Sequence, residues 1–279
     1  MIIDKRKFIT NYKKGKPQLI KKNLIADIET PFSCFLKIRK GEKYSFLLES
    51  VEGGSKRGRY SLLGCNPDLI FKVKKGKTSI KYLEHNYNYN LTNEPLQALR
   101  ELINLSKFKN SDKNVPYPTL VGYLGYPMIQ FMENIQLKNK DNIKIPDTTL
   151  IRPMIVAVFD NIKDIISIMT ISYPSRKISA ESAYRKANIL IKKTIKKLEK
   201  SILKSSSRKN KITKLNFKSN FKKLEFYNLV KKAKKYIKDG DIFQVVTSQR
   251  FETKYSLSAV DLYRSLRRLN PSPYLVNLN

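Results

Sequence analysis

Residues able to do chemistry are few in this sequence, and their spacing excludes the common catalytic devices. The only histidine, His85, sits in the polar run Glu84-His85-Asn86-Tyr87-Asn88. That run reads as a surface loop, and any Ser-His-Asp arrangement would rest on this one residue. Cys34 and Cys65 lack the CxxC spacing of a metal or redox site, and no HxxxH is present. Two cysteines cannot build a disulfide framework, so both read as reduced thiols. Gly53, Gly54 and Gly58 cluster between two apolar runs, yet they match neither a Walker A loop nor GxGxxG. Glu49 and Glu52 flank that turn as acidic residues commonly do, and no paired carboxylates stand out. From the residues alone the reading ends at an α+β protein without a visible active site.

The elements that must position these residues are easier to read. Residues 1–180 are mostly strand-like. Tyr44–Val51 (YSFLLESV) and Arg59–Leu63 (RYSLL) flank the Gly-rich turn and form a hairpin or a sharp strand connection. Leu69–Val73 and Thr78–Leu83 flank Lys74-Lys75-Gly76-Lys77, a second hairpin. Glu94–Leu105 carries Leu96, Leu99 and Ile103 at helical spacing. Thr119–Tyr126 (TLVGYLGY) reads as a buried strand whose two glycines permit close backbone approach. Leu150–Phe159 and Ile165–Ser172 read as paired strands. Further on, Asp241–Phe251 (DIFQVVTSQRF) is strand-like after the helix stop at Gly240. Ser258 and Asp261 open another helix in capping-box style, which ends at Asn270-Pro271-Ser272-Pro273. Tyr274–Asn279 reads as a strand just begun, as if the chain were cut inside a fold.

The chain has 279 residues with 56 Lys plus Arg against 23 Asp plus Glu, a formal net charge of +33. A hydrophobic fraction of 41% with 16 Tyr and 13 Phe is enough for a sizeable core. No apolar run approaches the roughly 18 residues of a membrane span, and the first residues have no signal-peptide core. A soluble, intracellular protein is expected. Such a charge ordinarily points to nucleic acid. Residues 181–240, however, hold 20 Lys/Arg and 4 Asp/Glu, so +16 of the +33 falls in about a fifth of the chain. There the stripes Ala183, Ala187, Ile191, Ile195, Leu198, Ile202 and Phe226, Val230, Ala233, Ile237 mark two helices, with the lysines between them facing water. Ser205–Lys211 between them is a polar linker. Lysine outnumbers arginine, which is the better residue for bidentate phosphate contacts. No aromatic platform for stacking bases stands out. Solvated helix faces therefore account for the charge better than a nucleic-acid surface.

Four stretches occurring in one order carry a family resemblance: Leu47–Gly64 (LLESVEGGSKRGRYSLLG), Val121–Tyr126 (VGYLGY), Gly240–Phe251 (GDIFQVVTSQRF) and Leu269–Leu275 (LNPSPYL). Together with Ile145–Asp164 they closely resemble the large subunit, component I, of anthranilate synthase. The resemblance runs from about residue 20 to the end and is weakest over residues 175–220. It implies an α+β fold of two packed, largely antiparallel β-sheets flanked by helices, incomplete here. It also implies conversion of chorismate and ammonia to anthranilate and pyruvate, with a glutamine amidotransferase partner subunit (component II) supplying the ammonia. Mg2+ is the implied cofactor, acting as a Lewis acid, and the location is cytoplasmic, with neither nucleic acid nor membrane as partner. Three regions follow: 1–180, β-rich with the effector-site strand; 181–220, basic helix and linker; 221–279, the truncated start of the chorismate-binding domain.

The resemblance implies a tryptophan feedback site at Ser50, Pro273, Tyr274 and Leu275. A hydroxyl and backbone groups can meet the polar end of an amino acid, Glu49 could meet its ammonium, and Pro273 with Tyr274 offers flat surface for indole. The plainer alternative is that Ser50 ends a strand and the prolines stop a helix. Catalytic and metal residues are expected beyond Asn279, so none is assigned. Gln244 is a candidate residue of an active-site strand. Water-adding relatives carry a lysine base at this place, whereas ammonia needs none. Lys222 stands where relatives often have an N-capping Thr. The rival readings are the large subunit of aminodeoxychorismate synthase, a non-catalytic tryptophan-binding fragment, and a basic nucleic-acid-binding protein.

Overall fold

A computed structural model describes residues 4–52, 56–84, 89–108, 116–137, 143–201 and 215–279; His85, Gly53 and Gly54 lie outside them. The helices are α1 (Lys5–Lys13), α2 (Pro31–Ile38), α3 (Pro95–Ser106), α4 (Ala180–Leu198), α5 (Lys223–Lys238) and α6 (Ala259–Leu269). The strands are β1 (Gln18–Ile25), β2 (Ser45–Glu52), β3 (Lys56–Arg57), β4 (Tyr60–Lys74), β5 (Lys77–Tyr82), β6 (Val121–Leu124), β7 (Thr148–Asp160), β8 (Ile165–Ser172), β9 (Lys218–Ser219), β10 (Phe251–Glu252) and β11 (Tyr274–Leu278). They fall into two compact units, one of Met1–Leu203 with Leu266–Asn279, the other of Lys204–Ser265.

The larger unit is organised by two long strands. β4 and β7 pair antiparallel along nearly their whole length, from Tyr60 opposite Asp160 to Val73 opposite Thr148. One half of this pair extends outward through β2 and β11 on one side and β8 and β1 on the other. The other half is flanked by β5 and β6. The result is one continuous antiparallel sheet with two lobes. Helices α2 and α4 pack on it, as the α+β reading requires. Phe46, Val156, Val158 and Met169 form a buried cluster with Ile70, Val121 and Ile151 from the other lobe. A second cluster joins Leu69, Phe71 and Val73 to Ala98, Leu99 and Leu102 of α3 and to Met128.

The lobes divide where the ladder breaks. Pro67 faces Pro153, and the register shifts between Pro67 and Leu69, leaving Asp68 as the extra residue of a bulge. Neither proline can donate to the ladder. The bulge turns the Asp68 carboxylate inward to meet Arg152, whose Nε donates to Oδ1 at 2.8 Å and whose Nη2 donates to Oδ2 at 2.6 Å. Arg152 is 1% exposed. Its guanidinium lies 4.0 Å from the centre of the Tyr173 ring, and Nη1 donates to Ser106 Oγ at the end of α3. Burial opposes the charge on both partners: it pushes the Asp68 carboxyl up, and it works against the guanidinium, which Asp68 nevertheless lifts above its ordinary value. The pair is ionised, because a neutral carboxyl would leave that cation uncompensated in the core.

Most sequence-level elements are present. The β4–β5 and β7–β8 pairs form as hairpins. Gly122 and Gly125 allow the close approach expected of them: a Cβ would fall 1.9 Å from the Thr149 carbonyl at the first and 2.7 Å from that of Asp147 at the second. On α3 the buried face is Ala98, Leu99 and Leu102, with Ile103 exposed, a rotation from the expected stripe. Helices α1 and α2 lie in the stretch expected to be mostly strand. The signal for α2 was present: Thr30 and Ser33 make a reciprocal capping box with Pro31 at the first turn.

In α4 the apolar stripe is buried at Ala183, Ala187, Ile191 and Leu198. Not all its lysines face water. Lys197 Nζ donates to the carbonyl of Ile38, the last residue of α2, at 3.1 Å and pairs with Glu42 at 2.7 Å. Lys37 of α2 donates to the Leu198 carbonyl at 2.7 Å and pairs with Glu29. Each helix thus caps the other's C-terminus.

The smaller unit departs from expectation at 241–250, where no strand forms. A strand exists only within a ladder, and the ladder described in this unit is Phe251–Glu252 with Lys218–Ser219. The α5 stripe is in place but unburied. Lys222 provides no side-chain cap to α5; its own N–H is instead taken by Glu225 at 2.7 Å. Ser258 caps α6, accepting from the Asp261 N–H and donating to its carboxylate. Among the described residues no helix is long and apolar enough to cross a membrane.

Two outcomes test this architecture. Arg152→Ala should lower the unfolding free energy by roughly 3–5 kcal/mol in urea titrations, the cost of stranding a buried charge, whereas Asp68→Leu with Arg152→Met should cost less than that single change. At the β7–β8 turn, burial acts against the Asp160 charge, but hydrogen bonds from Arg59 and from the Ile162 and Lys163 amides hold its carboxyl below the usual range. A depressed folded-state pKa stabilises above the unfolded-state value, and the effect is lost as pH falls through the folded one. The stability gap between wild type and Asp160→Asn should therefore be full at neutral pH and close below about pH 4. A gap independent of pH would exclude that role.

Candidate effector site

Strand β2 carries Glu49 and Ser50 in its second half, and β11 begins with Tyr274-Leu275. The two strands pair antiparallel with Tyr274 opposite Ser50, Leu275 opposite Glu49 and Val276 opposite Leu48. Asn279 and Ser45 close the ladder with a 2.9 Å bond from the Asn279 N–H to the Ser45 carbonyl and a 3.2 Å return bond. Two of the sequence motifs, from opposite ends of the larger unit's chain, thereby become neighbours.

Alternation along a strand then sorts the residues by face. Ser50, Tyr274, Leu48 and Val276 share one face. Tyr274 is 81% exposed there and Val276 53%, and Ser50 is half-buried. Pro273, exposed, precedes Tyr274 at the mouth of the turn. Glu49 and Leu275 point to the opposite face, where both are buried. The Glu49 carboxylate is held there by Arg267 of α6, 3.0 Å away, so it is not presented beside the Ser50 hydroxyl. Leu275 likewise contributes packing on the far face and its backbone on the near one.

Ser50 is fixed from behind by residues to which the sequence reading assigned no role. The Gly58 N–H donates to the Ser50 carbonyl at 2.8 Å. A Cβ at Gly58 would come within 2.7 Å of both Cβ and Oγ of Ser50, so the strand can approach only because residue 58 has no side chain. Asn161 Nδ2 donates to the Gly58 carbonyl at 2.8 Å, and the Asn161 N–H donates to the Arg59 carbonyl. Arg59 in turn pairs with Asp160 at 3.1 Å. Gly58 and Arg59 lie within the first resembling stretch, and Arg267 lies just before the last one, so motif adjacency was the available signal.

Gln244 belongs to the smaller unit, exposed and outside any strand. Among the described residues, no three or more His, Cys, Asp and Glu side chains come together in a way that could hold a metal ion. The two buried carboxylates, Glu49 and Asp68, are each engaged by an arginine. These residues do not fit a magnesium site, and no step is derived through one.

Comparison with known proteins bears on the family of the chain. The sequence profile described as chorismate binding enzyme matches residues 43–279. Anthranilate synthase component 1 of Cereibacter sphaeroides is 36% identical over 277 residues, which cover 98% of this chain and 55% of the relative. The Aquifex aeolicus protein of the same name is 36% identical over 263 residues, 92% and 52% of the two chains. The chain thus spans about half the length of the curated relatives it matches. Among solved structures, anthranilate synthase component I from Streptococcus pneumoniae superposes with a TM-score of 0.60 at 25% identity, covering 78% of this chain and 47% of that one. The sheet, the order of the motifs and a match over most of the sequence lead to one assignment: the chain belongs to the chorismate-binding enzyme family.

Proposed function

We infer that this chain is the effector-binding portion of the large subunit of an anthranilate synthase. In this reading the complete enzyme converts chorismate and ammonia to anthranilate and pyruvate, with ammonia from a glutamine amidotransferase subunit and magnesium as cofactor, in the cytoplasm. Tryptophan is the inhibitor bound at Ser50, Pro273 and Tyr274. The observation that carries the reading is the β2–β11 register. It sets a hydroxyl directly opposite an exposed tyrosine ring at the end of a proline-rich turn. That pair offers one hydrogen-bonding group and one flat apolar surface at the spacing of neighbouring strands, about 5 Å, a match for an aromatic amino acid. Gln244, in place of a basic residue, is consistent with an amine rather than water as nucleophile.

The test uses the enzyme that contains this chain, assayed with chorismate, ammonium and magnesium. Anthranilate should form, and tryptophan should inhibit it. Ser50→Phe should raise the tryptophan concentration for half-inhibition by at least about tenfold, the equivalent of one lost buried hydrogen bond, while turnover without inhibitor stays near wild type. Formation of an aminodeoxychorismate instead would assign the rival reaction. Unchanged inhibition would remove Ser50 from the site.

A further inference from the structure

We propose that Arg267 is the positioning residue of the effector site, fixing the Pro273–Tyr274 turn over Ser50 through its ion pair with Glu49 on the opposite face of the sheet; this rests on the effector-site reading above. The argument is one of closure. Helix α6 runs through Leu269 into Asn270-Pro271-Ser272-Pro273 and then β11, a covalent link. The β11–β2 ladder, Tyr274 to Ser50 and Leu275 to Glu49, is the second link. Arg267 Nη2 to Glu49 Oε1 at 3.0 Å is the third. These three links close a ring of chain around the turn that presents Pro273 and Tyr274. Two prolines stiffen that turn by fixing their φ angles. With the ring closed, the turn has one position over Ser50; with the ion pair cut, the end of α6 can pivot about the ladder and carry Pro273 with it.

Burial makes the third link persistent. The Glu49 side chain is 4% exposed and that of Arg267 25%. A buried carboxylate deprived of its cation is costly, so the pair holds where a surface pair would exchange with water. Arg268, the next residue in the last turn of α6, is exposed. If a basic residue were needed only to complement the helix C-terminus, either arginine would serve. Neither Arg267 nor Glu49 faces the ligand, so both act through the placement of Pro273 and Tyr274.

The chain contains no tryptophan, so the fluorescence of added L-tryptophan reports its binding to the purified chain without background indole. Wild type should bind. Arg267→Gln should weaken binding on the order of tenfold, as expected for one charge-assisted contact. Glu49→Gln should do the same, and the double variant should bind no more weakly than either alone. Arg267→Lys should recover most of the affinity and Arg268→Gln should leave it unchanged, outcomes that a general loss of stability or charge would not give. If Arg267→Gln does not fold, Glu49→Gln with Arg267→Lys carries the same test. Wild-type affinity in Arg267→Gln, alongside loss of binding in Ser50→Phe, overturns the inference and leaves the effector site standing. An equal loss in Arg268→Gln also overturns it. Absence of binding by wild type instead removes the effector-site reading itself, and the inference with it.

Discussion

The ion pair between Asp68 and Arg152 is the constraint on which the sheet depends. Two facing prolines interrupt the central ladder, and an interrupted ladder between long strands is free to splay. The bulge that the prolines impose supplies the remedy, because it turns a carboxylate inward where an arginine can reach it. The same guanidinium touches Ser106 at the end of α3 and stacks near Tyr173 after β8. One buried cation thus registers both lobes, a helix end and a strand exit. A hydrophobic pair would fill the space but would not fix directions, which is the service a fork of hydrogen bonds provides.

Ser50 depends on this registry at one remove. Its strand is held by β4, whose first residues pair with the end of β7. Gly58, Arg59, Asp160 and Asn161 connect those ends directly behind the hydroxyl. Ser50 and Tyr274 are therefore held on paired strand ends rather than on a long loop. Alternation gives the two strands different duties on their two faces. One presents Ser50 and Tyr274, and the other buries Glu49 and Leu275 against the protein.

Local pattern carried a good part of this. Hairpins announced by Lys75-Gly76 and by Asp160–Asp164, the close-packed Gly122, the caps at Ser258 and the stripe of α4 were all readable, since each is set by neighbours in sequence. What was not readable depends on partners. The strand character of 241–250 could not reveal that no ladder forms there, because β-propensity measures fitness for a sheet and not its presence. Glu49 looked available to a ligand beside Ser50 because adjacency in sequence means opposite faces in a strand, a distinction that appears only once the strand is certain. For Arg267 and Asn161 the one signal was position, beside or within a family stretch, since residue type alone does not distinguish them from other polar residues. The order of the family stretches pointed to the proposed effector site, and the β2–β11 register gives that proposal a geometry.

The crossed lysines of α2 and α4 give the chain's basicity a second meaning. Many of the described lysines are exposed on helix and strand faces. Lys37 and Lys197 are different in kind, because each ammonium spends its protons on the open carbonyls of the other's helix and on a carboxylate. An acylated lysine keeps one N–H and no charge, so it could satisfy one of those acceptors and strand the rest. Amine reactivity in this protein is thus not a single property spread over a basic surface. Among the described residues, Lys37 and Lys197 stand apart as positions where acylation removes contacts that join α2 to α4.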